Sequence, residues 1–174
     1  MKNIPIKKLS AKKYILLSSV ILIGILLDQI SKILTVKYIP LYHKIPVVGK
    51  LFGLTYITND GAAWGMLDDH RWVFMLTSTV AILVMLGYLY LGFSQSALYE
   101  ISLAIIISGG IGNMIDRIAY GEVVDMLELT FIEFPVFNVA DSFVCIGAGL
   151  LILAMVLDII KEAKKGNGNA SDSN

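Results

Sequence analysis

Three aspartates stand within stretches of the chain that are otherwise largely apolar: Asp28, Asp116 and Asp141. A carboxylate near the middle of a membrane helix costs about 2.5 to 3.5 kcal/mol, so each of them needs a partner or a function. Carboxyl groups in such surroundings form internal ion pairs, bind or relay cations, or act as general acids and bases. The neighbours of each aspartate narrow these choices.

Asp28 lies in the segment LLDQISK, four residues before Lys32. The i, i+4 spacing places the two side chains on one face of a helix, where opposite charges attract. A structural ion pair explains both charges. We favour this interpretation over a chemical role for Asp28.

A polar stripe closes the third apolar segment, in SGGIGNMIDR at residues 108–117. Gly109, Asn113 and Asp116 recur at i, i+4 and i+7 and therefore share one helix face. Glycines on such a face permit two membrane helices to pack closely. Packing does not require the side chains of Asn113, Asp116 and Arg117, so the stripe is also a candidate functional surface.

A second polar edge opens the fourth apolar segment, in FNVADS at residues 137–142. Asn138, Asp141, Ser142 and Cys145 fall at i, i+3, i+4 and i+7, so they lie along one edge of a helix. Asp141 then stands about one turn into that helix. We expect this edge to face the interior of the bundle.

Asp125 lies in GEVVDML, in a connection between two apolar segments. Residues 123–134 and residues 54–58 (LTYIT) are rich in β-forming side chains with partial alternation, which predicts a small sheet at the membrane surface. Considered alone, Asp125 is best interpreted as a strand residue that faces water.

Composition indicates a membrane protein. The chain of 174 residues is 56% hydrophobic and 16% charged, with a mean hydropathy of +0.75, so the bilayer is the expected solvent. The net charge of zero gives no bulk attraction to nucleic acid, and no nucleic-acid partner is expected.

Cys145 is the single cysteine, which excludes an internal disulfide, and we expect it to pack in the core. His43 and His70 lack the spacing of a helical metal pair, so no metal site is predicted.

Four segments approach the length of about 20 apolar residues that a helix needs to span a hydrocarbon core of about 30 Å. They predict an all-α integral membrane protein with four transmembrane helices, at residues 14–34, 72–92, 98–116 and 138–160. These helices form a single domain at residues 1–162. A polar, Gly-rich and disordered tail is expected at residues 163–174.

The lysines predict the orientation of these helices. They flank the first and last segments at Lys2, Lys7, Lys8, Lys12, Lys13, Lys161, Lys164 and Lys165. The positive-inside rule therefore places both termini in the cytoplasm, in agreement with an even number of spans. The long connections at residues 35–71 and 117–137, with the predicted sheet, then lie on the extracytoplasmic side.

Residue types alone leave several functions open. A small proton- or cation-coupled transporter could use Asp28, Asp116 and Asp141 as a relay, although the chain lacks an apparent internal repeat. A metal-dependent phospholipid-headgroup transferase would need acids clustered closely on a helix, which this chain does not offer. A membrane scaffold would leave the polar residues of the outer connections unexplained.

Five short blocks resemble the lipoprotein signal peptidase (signal peptidase II) family of intramembrane aspartic proteases. They occur in the family's order and cover most of the chain. The blocks are DQISK at 28–32, NDGAAWG at 59–65, GGIGNMIDR at 109–117, VVD at 123–125 and FNVADS at 137–142.

The resemblance implies that Asp125 and Asp141 form the catalytic pair. It assigns substrate-binding or site-supporting roles to Asn59, Gly61, Asn113, Arg117, Asn138, Asp28 and Asp116. It also implies an enzyme that removes the signal peptide from prolipoproteins, cutting before a cysteine that carries a diacylglyceryl group. The implied location is the bacterial cytoplasmic membrane, with the active site at the extracytoplasmic face. Lipidated prolipoprotein and membrane lipid are the expected partners, and we expect a monomer without a cofactor.

Two carboxyl groups held close together suit this chemistry, because like charges at short range cannot both ionise and one proton is shared. The ionised group takes a proton from the attacking water, and the protonated group donates to the developing oxyanion. No metal or nucleophilic side chain is needed for such a hydrolysis.

Overall fold

Four helices and three strands account for most of the described chain. The computed structural model describes residues 9–60, 71–92 and 96–171. The helices are α1 (Ala11–Tyr38), α2 (Arg71–Tyr90), α3 (Ala97–Ala119) and α4 (Val139–Ser171). The strands are β1 (Lys44–Val48), β2 (Phe52–Asn59) and β3 (Val123–Leu129). The predicted helical architecture with a small sheet is therefore confirmed.

Three of the helices are long and apolar enough to cross a membrane, judged by length and composition within the described residues: Ala11–Tyr38, Ala97–Ala119 and Val139–Lys164. The apolar part of α2, Met75–Tyr90, is shorter. Large apolar side chains point away from the protein on these helices, including Ile15 at 67% exposure and Ile152 at 62%. A bilayer would remove this surface from water.

Both ends of the helical region extend beyond the predicted spans. α1 begins at Ala11 because Ser10 is its N-cap, and the Ser10 hydroxyl accepts a hydrogen bond from the backbone N–H of Lys13 at 3.4 Å. α4 continues to Ser171, whereas the sequence predicted a disordered tail from residue 163. Extending an existing helix by one residue costs far less than nucleating a new one, so a long apolar helix can carry polar residues at its end.

The three strands form one antiparallel sheet in the order β1-β2-β3. Asn59 pairs with Val123, and Ile57 pairs with Asp125. β1 was not predicted, since every residue of KIPVV is exposed and Pro46 interrupts the pattern. β3 ends at Leu129, earlier than the predicted strand, and turns follow it.

Asp125 is only 2% exposed, so the interpretation of this residue as a water-facing strand position is wrong. Val123 on the same face of β3 is also 2% exposed. Side chains alternate across a strand, so these two residues share the face that packs against the helices.

α3 lies between α1 and α4, and its glycines allow this close packing. A Cβ atom at Gly109 would stand 2.3 Å from the backbone oxygen of Ala140 in α4. A Cβ atom at Gly112 would stand 2.5 Å from Oδ2 of Asp28 in α1. The small-residue face predicted for this helix therefore contacts both neighbours.

A buried ion cluster joins α1 to α3. The Nζ atom of Lys32 lies 2.9 Å from Oδ2 of Asp28 and 2.8 Å from Oδ2 of Asp116. It also donates to Oδ1 of Asn113 at 2.9 Å. Gln29 adds a hydrogen bond from Nε2 to Oδ1 of Asp116 at 3.0 Å. The predicted ion pair between Asp28 and Lys32 is thus one part of a larger network.

We predict that Lys32→Met destabilises the protein strongly, because it leaves the buried carboxylates of Asp28 and Asp116 without their cation. Loss of one partner from a buried ion pair typically costs about 3 to 5 kcal/mol. The unfolding free energy, measured in detergent with denaturant, tests this expectation. The matched control is Lys161→Met, whose side chain is 70% exposed and pairs with Asp158 at 3.4 Å. Equal effects of the two substitutions would contradict a stabilising role for the cluster.

Candidate functional site

The site is built around the first turn of α4, where Asn138 is the N-terminal cap. Its Oδ1 accepts the backbone N–H of Asp141 at 2.9 Å, and its backbone N–H donates to Oδ2 of Asp141 at 3.2 Å. This reciprocal pair is a capping box, which satisfies amides that the helix itself leaves without acceptors. The carboxylate of Asp141 is consequently held against the helix start.

A second carboxylate reaches the same turn from α1. Oδ1 of Asp28 accepts the backbone N–H of Ala140 at 2.9 Å, and the side chain of Asp28 is fully buried. A negative charge at a helix N-terminus is favourable because the exposed amides carry partial positive charge. α1 therefore fixes the position of the residue that immediately precedes Asp141.

The sheet brings Asp125 to the start of α4. Nδ2 of Asn138 donates to Oδ1 of Asp125 at 2.7 Å. Nδ2 of Asn59, at the end of β2, donates to Oδ2 of Asp125 at 3.1 Å. Each oxygen of this carboxylate thus accepts a hydrogen bond from an amide, one from α4 and one from the neighbouring strand.

Asn113 of α3 connects the two halves of the site. Its Nδ2 donates to Oδ1 of Asp141 at 2.7 Å. Its Oδ1 accepts hydrogen bonds from Nδ2 of Asn138 at 3.1 Å and from Nζ of Lys32 at 2.9 Å. The amide orientation is therefore fixed by two donors on one side and a carboxylate on the other.

A cavity of about 510 Å³ opens beside this network. Its polar lining is Asn59, Asn113, Arg117, Asp125, Asn138, Asp141 and Ser142, and its other lining residues are Val123, Leu129, Phe134, Pro135, Val136, Phe137 and Cys145. Carboxyl and amide groups thus face a wall that is mostly apolar. A ligand with both a polar backbone and an apolar part fits such a lining.

The electrostatic surroundings keep a proton available near neutral pH. Burial and the nearby charge of Asp141 together raise the pKa of Asp125 to about 6, although hydrogen bonds from Asn59 and Asn138 oppose the rise. Arg117, at the end of α3, interacts electrostatically with both carboxylates. Two carboxyl groups in one cavity, one of which readily holds a proton, can act together as general acid and general base.

The structure brings together most of the residues singled out in the sequence. Those that line the cavity are Asn59, Asn113, Arg117, Asp125, Asn138 and Asp141. Asp28 and Asp116 lie behind it, joined to the network through Ala140 and Lys32. Gly61 lies outside the described residues.

Sequence reasoning missed the apolar wall and misjudged Cys145. The wall comes from residues 134–137, whose aromatic and proline-containing run FPVF was the available signal. Cys145 is exposed and lines the cavity, so the expectation of core packing is wrong. Within residues 9–60, 71–92 and 96–171, no three His, Cys, Asp or Glu side chains are grouped so that they could hold a metal ion.

Curated relatives match most of the chain over nearly their own full length. The lipoprotein signal peptidase of Brevibacillus brevis is 42% identical over 146 residues, which is 83% of this chain and 95% of the relative. The lipoprotein signal peptidase of Streptococcus agalactiae is 40% identical over 155 residues, or 89% of this chain and 98% of the relative. The lipoprotein signal peptidase of Halothermothrix orenii is 46% identical over 134 residues, which is 77% of this chain and 90% of the relative.

Solved structures share the fold. A bacterial membrane enzyme determined by the in meso method at 2.3 Å resolution superposes with a TM-score of 0.79 at 26% identity, covering 89% of this chain and 94% of the other. A second such enzyme, at 1.9 Å resolution, gives a TM-score of 0.72 at 27% identity and covers 87% of this chain and 97% of its own. The family model for signal peptidase (SPase) II matches residues 20–157. The chain therefore belongs to the signal peptidase II family.

Proposed function

We propose that this protein is an aspartic endopeptidase that removes signal peptides from bacterial prolipoproteins, cutting before the diacylglyceryl-modified cysteine. The observation that carries the proposal is that Asn138 hydrogen bonds to both Asp125 and Asp141 beside one cavity. Family membership and the names of the relatives support the same activity. These comparisons give no support to the alternative of a cation-coupled transporter.

Asp125 and Asp141 are the catalytic pair in this proposal. One ionised carboxylate takes a proton from water as the water oxygen attacks the scissile carbonyl carbon. The protonated partner donates its proton to the carbonyl oxygen, which yields a neutral tetrahedral intermediate. The intermediate collapses when the C–N bond breaks, the nitrogen takes the proton held by the first carboxyl, and the hydroxyl proton returns to the second. The pair then holds one proton again.

The remaining site residues support this pair. Asn59, Asn113 and Asn138 fix the carboxylates through amide donors, which keeps both acids oriented. Arg117 holds the end of α3 and adds positive charge beside the cavity. Asp28 and Asp116 position α4 and Asn113 through the buried ion cluster. Gly61 keeps the substrate-binding or site-supporting role that the family resemblance implies.

The apolar wall at residues 134–137 suits a lipidated substrate. Acyl chains contribute about 0.8 kcal/mol for each buried methylene, so the diacylglyceryl group keeps the substrate in the membrane while the scissile bond reaches the carboxylates. In this proposal the enzyme is a monomer surrounded by lipid. Residues 1–162 form its single peptidase domain. No cofactor enters the proposed steps.

The proposed topology has four spans in the cytoplasmic membrane, with both termini inside and the catalytic pair at the outer face. The apolar segment Met75–Tyr90 of α2 supports the remaining span. Lysines near both ends of the chain, including Lys12, Lys13 and Lys161, favour the cytoplasmic side for both termini.

The topology predicts opposite accessibility for two positions. An epitope inserted at Lys50, between β1 and β2, should be labelled by antibody on intact cells or spheroplasts. An epitope at the C-terminus should be labelled only after the membrane is permeabilised. Labelling of the C-terminal epitope in intact spheroplasts would contradict the orientation.

The catalytic assignment predicts that Asp125→Asn and Asp141→Asn each lower the rate of cleavage of a diacylglyceryl-modified prolipoprotein by about a thousandfold or more. The reason is that an asparagine cannot share the proton that the mechanism needs. Gel mobility of the substrate measures cleavage, in the presence of a chelator. The matched control is Asp158→Asn, an exposed aspartate of α4, which should cleave normally. An unlipidated precursor should be cleaved poorly by every variant.

Retained activity in either catalytic-pair variant, with unchanged folding judged by thermal unfolding, would show that the assignment is wrong. Loss of wild-type cleavage with chelator would show that a metal takes part. The Asp158→Asn control separates a loss of activity in the catalytic-pair variants from a general effect of removing an aspartate.

The pKa of Asp125, raised by burial to about 6, predicts the pH dependence. The value of kcat/KM should fall as pH rises above about 6, since the proton needed by the pair is then lost. Asn59→Leu removes a hydrogen bond that favours the ionised form of Asp125, so the pKa rises and the fall begins at higher pH. The pH profile of kcat/KM for both proteins measures this shift. A shift to lower pH would contradict the proposed role of Asn59.

A further inference from the structure

A second cavity, of about 450 Å³, lies on the opposite face of the sheet from the candidate active site. Val124 of β3 and Tyr56 and Thr58 of β2 line it, whereas the alternate residues Val123 and Asp125 line the first cavity. The sheet therefore separates two cavities, because successive side chains of a strand point to opposite faces.

The second cavity is accessible from the side of the protein that faces lipid. Ile33 and Val36 of α1 line it and are 63% and 49% exposed. Tyr120, just after α3, also lines it and is 76% exposed. Apolar side chains next to an exposed tyrosine are typical of the boundary between acyl chains and headgroups.

The rim of this cavity carries one charge of each sign. Lys37 and Glu122 line it and are both exposed. Within the part of the chain that the structure describes, the ion pairs involve neither residue. The ammonium group of Lys37 lies 5.1 Å from the ring centre of Tyr38. Both charges are thus available to a ligand.

The floor of the cavity is formed by groups that already bond to one another. Lys32 and Asp116 line it, but they pair with one another at 2.8 Å. Gln29 donates to Asp116 at 3.0 Å as well. At the rim, a ligand therefore meets the exposed cation of Lys37, the exposed anion of Glu122 and an apolar wall.

We propose that this cavity binds a zwitterionic phospholipid of the phosphate–ammonium type. Its phosphate lies near Lys37, its ammonium group near Glu122, and one acyl chain runs along Ile33 and Val36. Opposite charges on the rim and on the headgroup attract one another at a membrane surface. The proposal concerns a site separate from the peptidase cavity and goes beyond the proposed function.

An occupant of this cavity would contact the same cluster that orients the candidate active site. Lys32 lines the second cavity and also donates to Asn113, which lines the first. The lipid would therefore lie against the cation on which the orientation of Asn113 depends. This contact gives the site a physical connection to the peptidase without making lipid a reactant.

Native mass spectrometry of the full-length protein, titrated with short-chain phosphatidylethanolamine or phosphatidylglycerol, tests the proposal. The wild type should bind phosphatidylethanolamine more tightly than phosphatidylglycerol. Lys37→Gln and Glu122→Gln should each weaken phosphatidylethanolamine binding about fivefold. Glu122→Gln should instead strengthen binding of the anionic phosphatidylglycerol, because a repulsive carboxylate is removed. The matched controls are Lys50→Gln and Glu162→Gln, two exposed residues that do not line the cavity.

Two outcomes would overturn the proposal. If Glu122→Gln leaves phosphatidylethanolamine binding unchanged while Lys37→Gln weakens both lipids, the site binds an anionic headgroup. If Lys50→Gln and Glu162→Gln weaken binding as much as the cavity variants, the lipid is held by the surface as a whole. Thermal unfolding of the same preparations checks that each variant is folded.

Discussion

The capping of α4 is the interaction on which the rest of the site depends. A buried helix start leaves backbone amides that must find acceptors, and here Asn138 and Asp28 supply them. The same arrangement immobilises Asp141, because its carboxylate returns the hydrogen bond to the backbone of Asn138. The side-chain amide of Asn138 remains available for Asp125. One fully buried asparagine thus solves a folding problem and joins the two proposed catalytic acids.

The four acids of this region are compensated in two different ways. Asp28 and Asp116 share the buried ammonium group of Lys32, which cancels charge where the surroundings are least polar. Asp125 and Asp141 instead accept their hydrogen bonds from asparagine amides, and the charge of Arg117 acts on them electrostatically. An amide stabilises a carboxylate without fixing its charge as strongly as a neighbouring cation does, so a proton can still be gained or lost. Structural and proposed catalytic acids therefore differ in their partners rather than in their residue type.

Local sequence patterns predicted the elements but not how distant elements meet. The i, i+4 spacing of Asp28 and Lys32 was enough to predict their ion pair, because both residues belong to one helix. Hydropathy likewise predicted the helices, and the small-residue stripe predicted the packing face of α3. The burial of Asp125 could not be predicted from its neighbours, since it follows from pairing with Ile57 across the sheet. The family resemblance implied a catalytic role for Asp125 but not its burial. The exposed edge strand β1 had no hydrophobic alternation to reveal it.

The register of β2 against β3 decides which face of the sheet Asp125 occupies. Leu54 pairs with Leu127 and Ile57 pairs with Asp125, so β2 contributes one more residue than β3 between these pairs. Such a bulge changes which side chains of the longer strand face each side of the sheet. Beyond it, Asn59 and Asp125 share a face and form their hydrogen bond. Without the bulge, strict alternation from the Leu54–Leu127 pair would place Tyr56 opposite Asp125, and the side chain of Asn59 would lie on the other face of the sheet, away from the carboxylate. One irregularity in a short strand therefore aligns the two proposed site residues of the sheet.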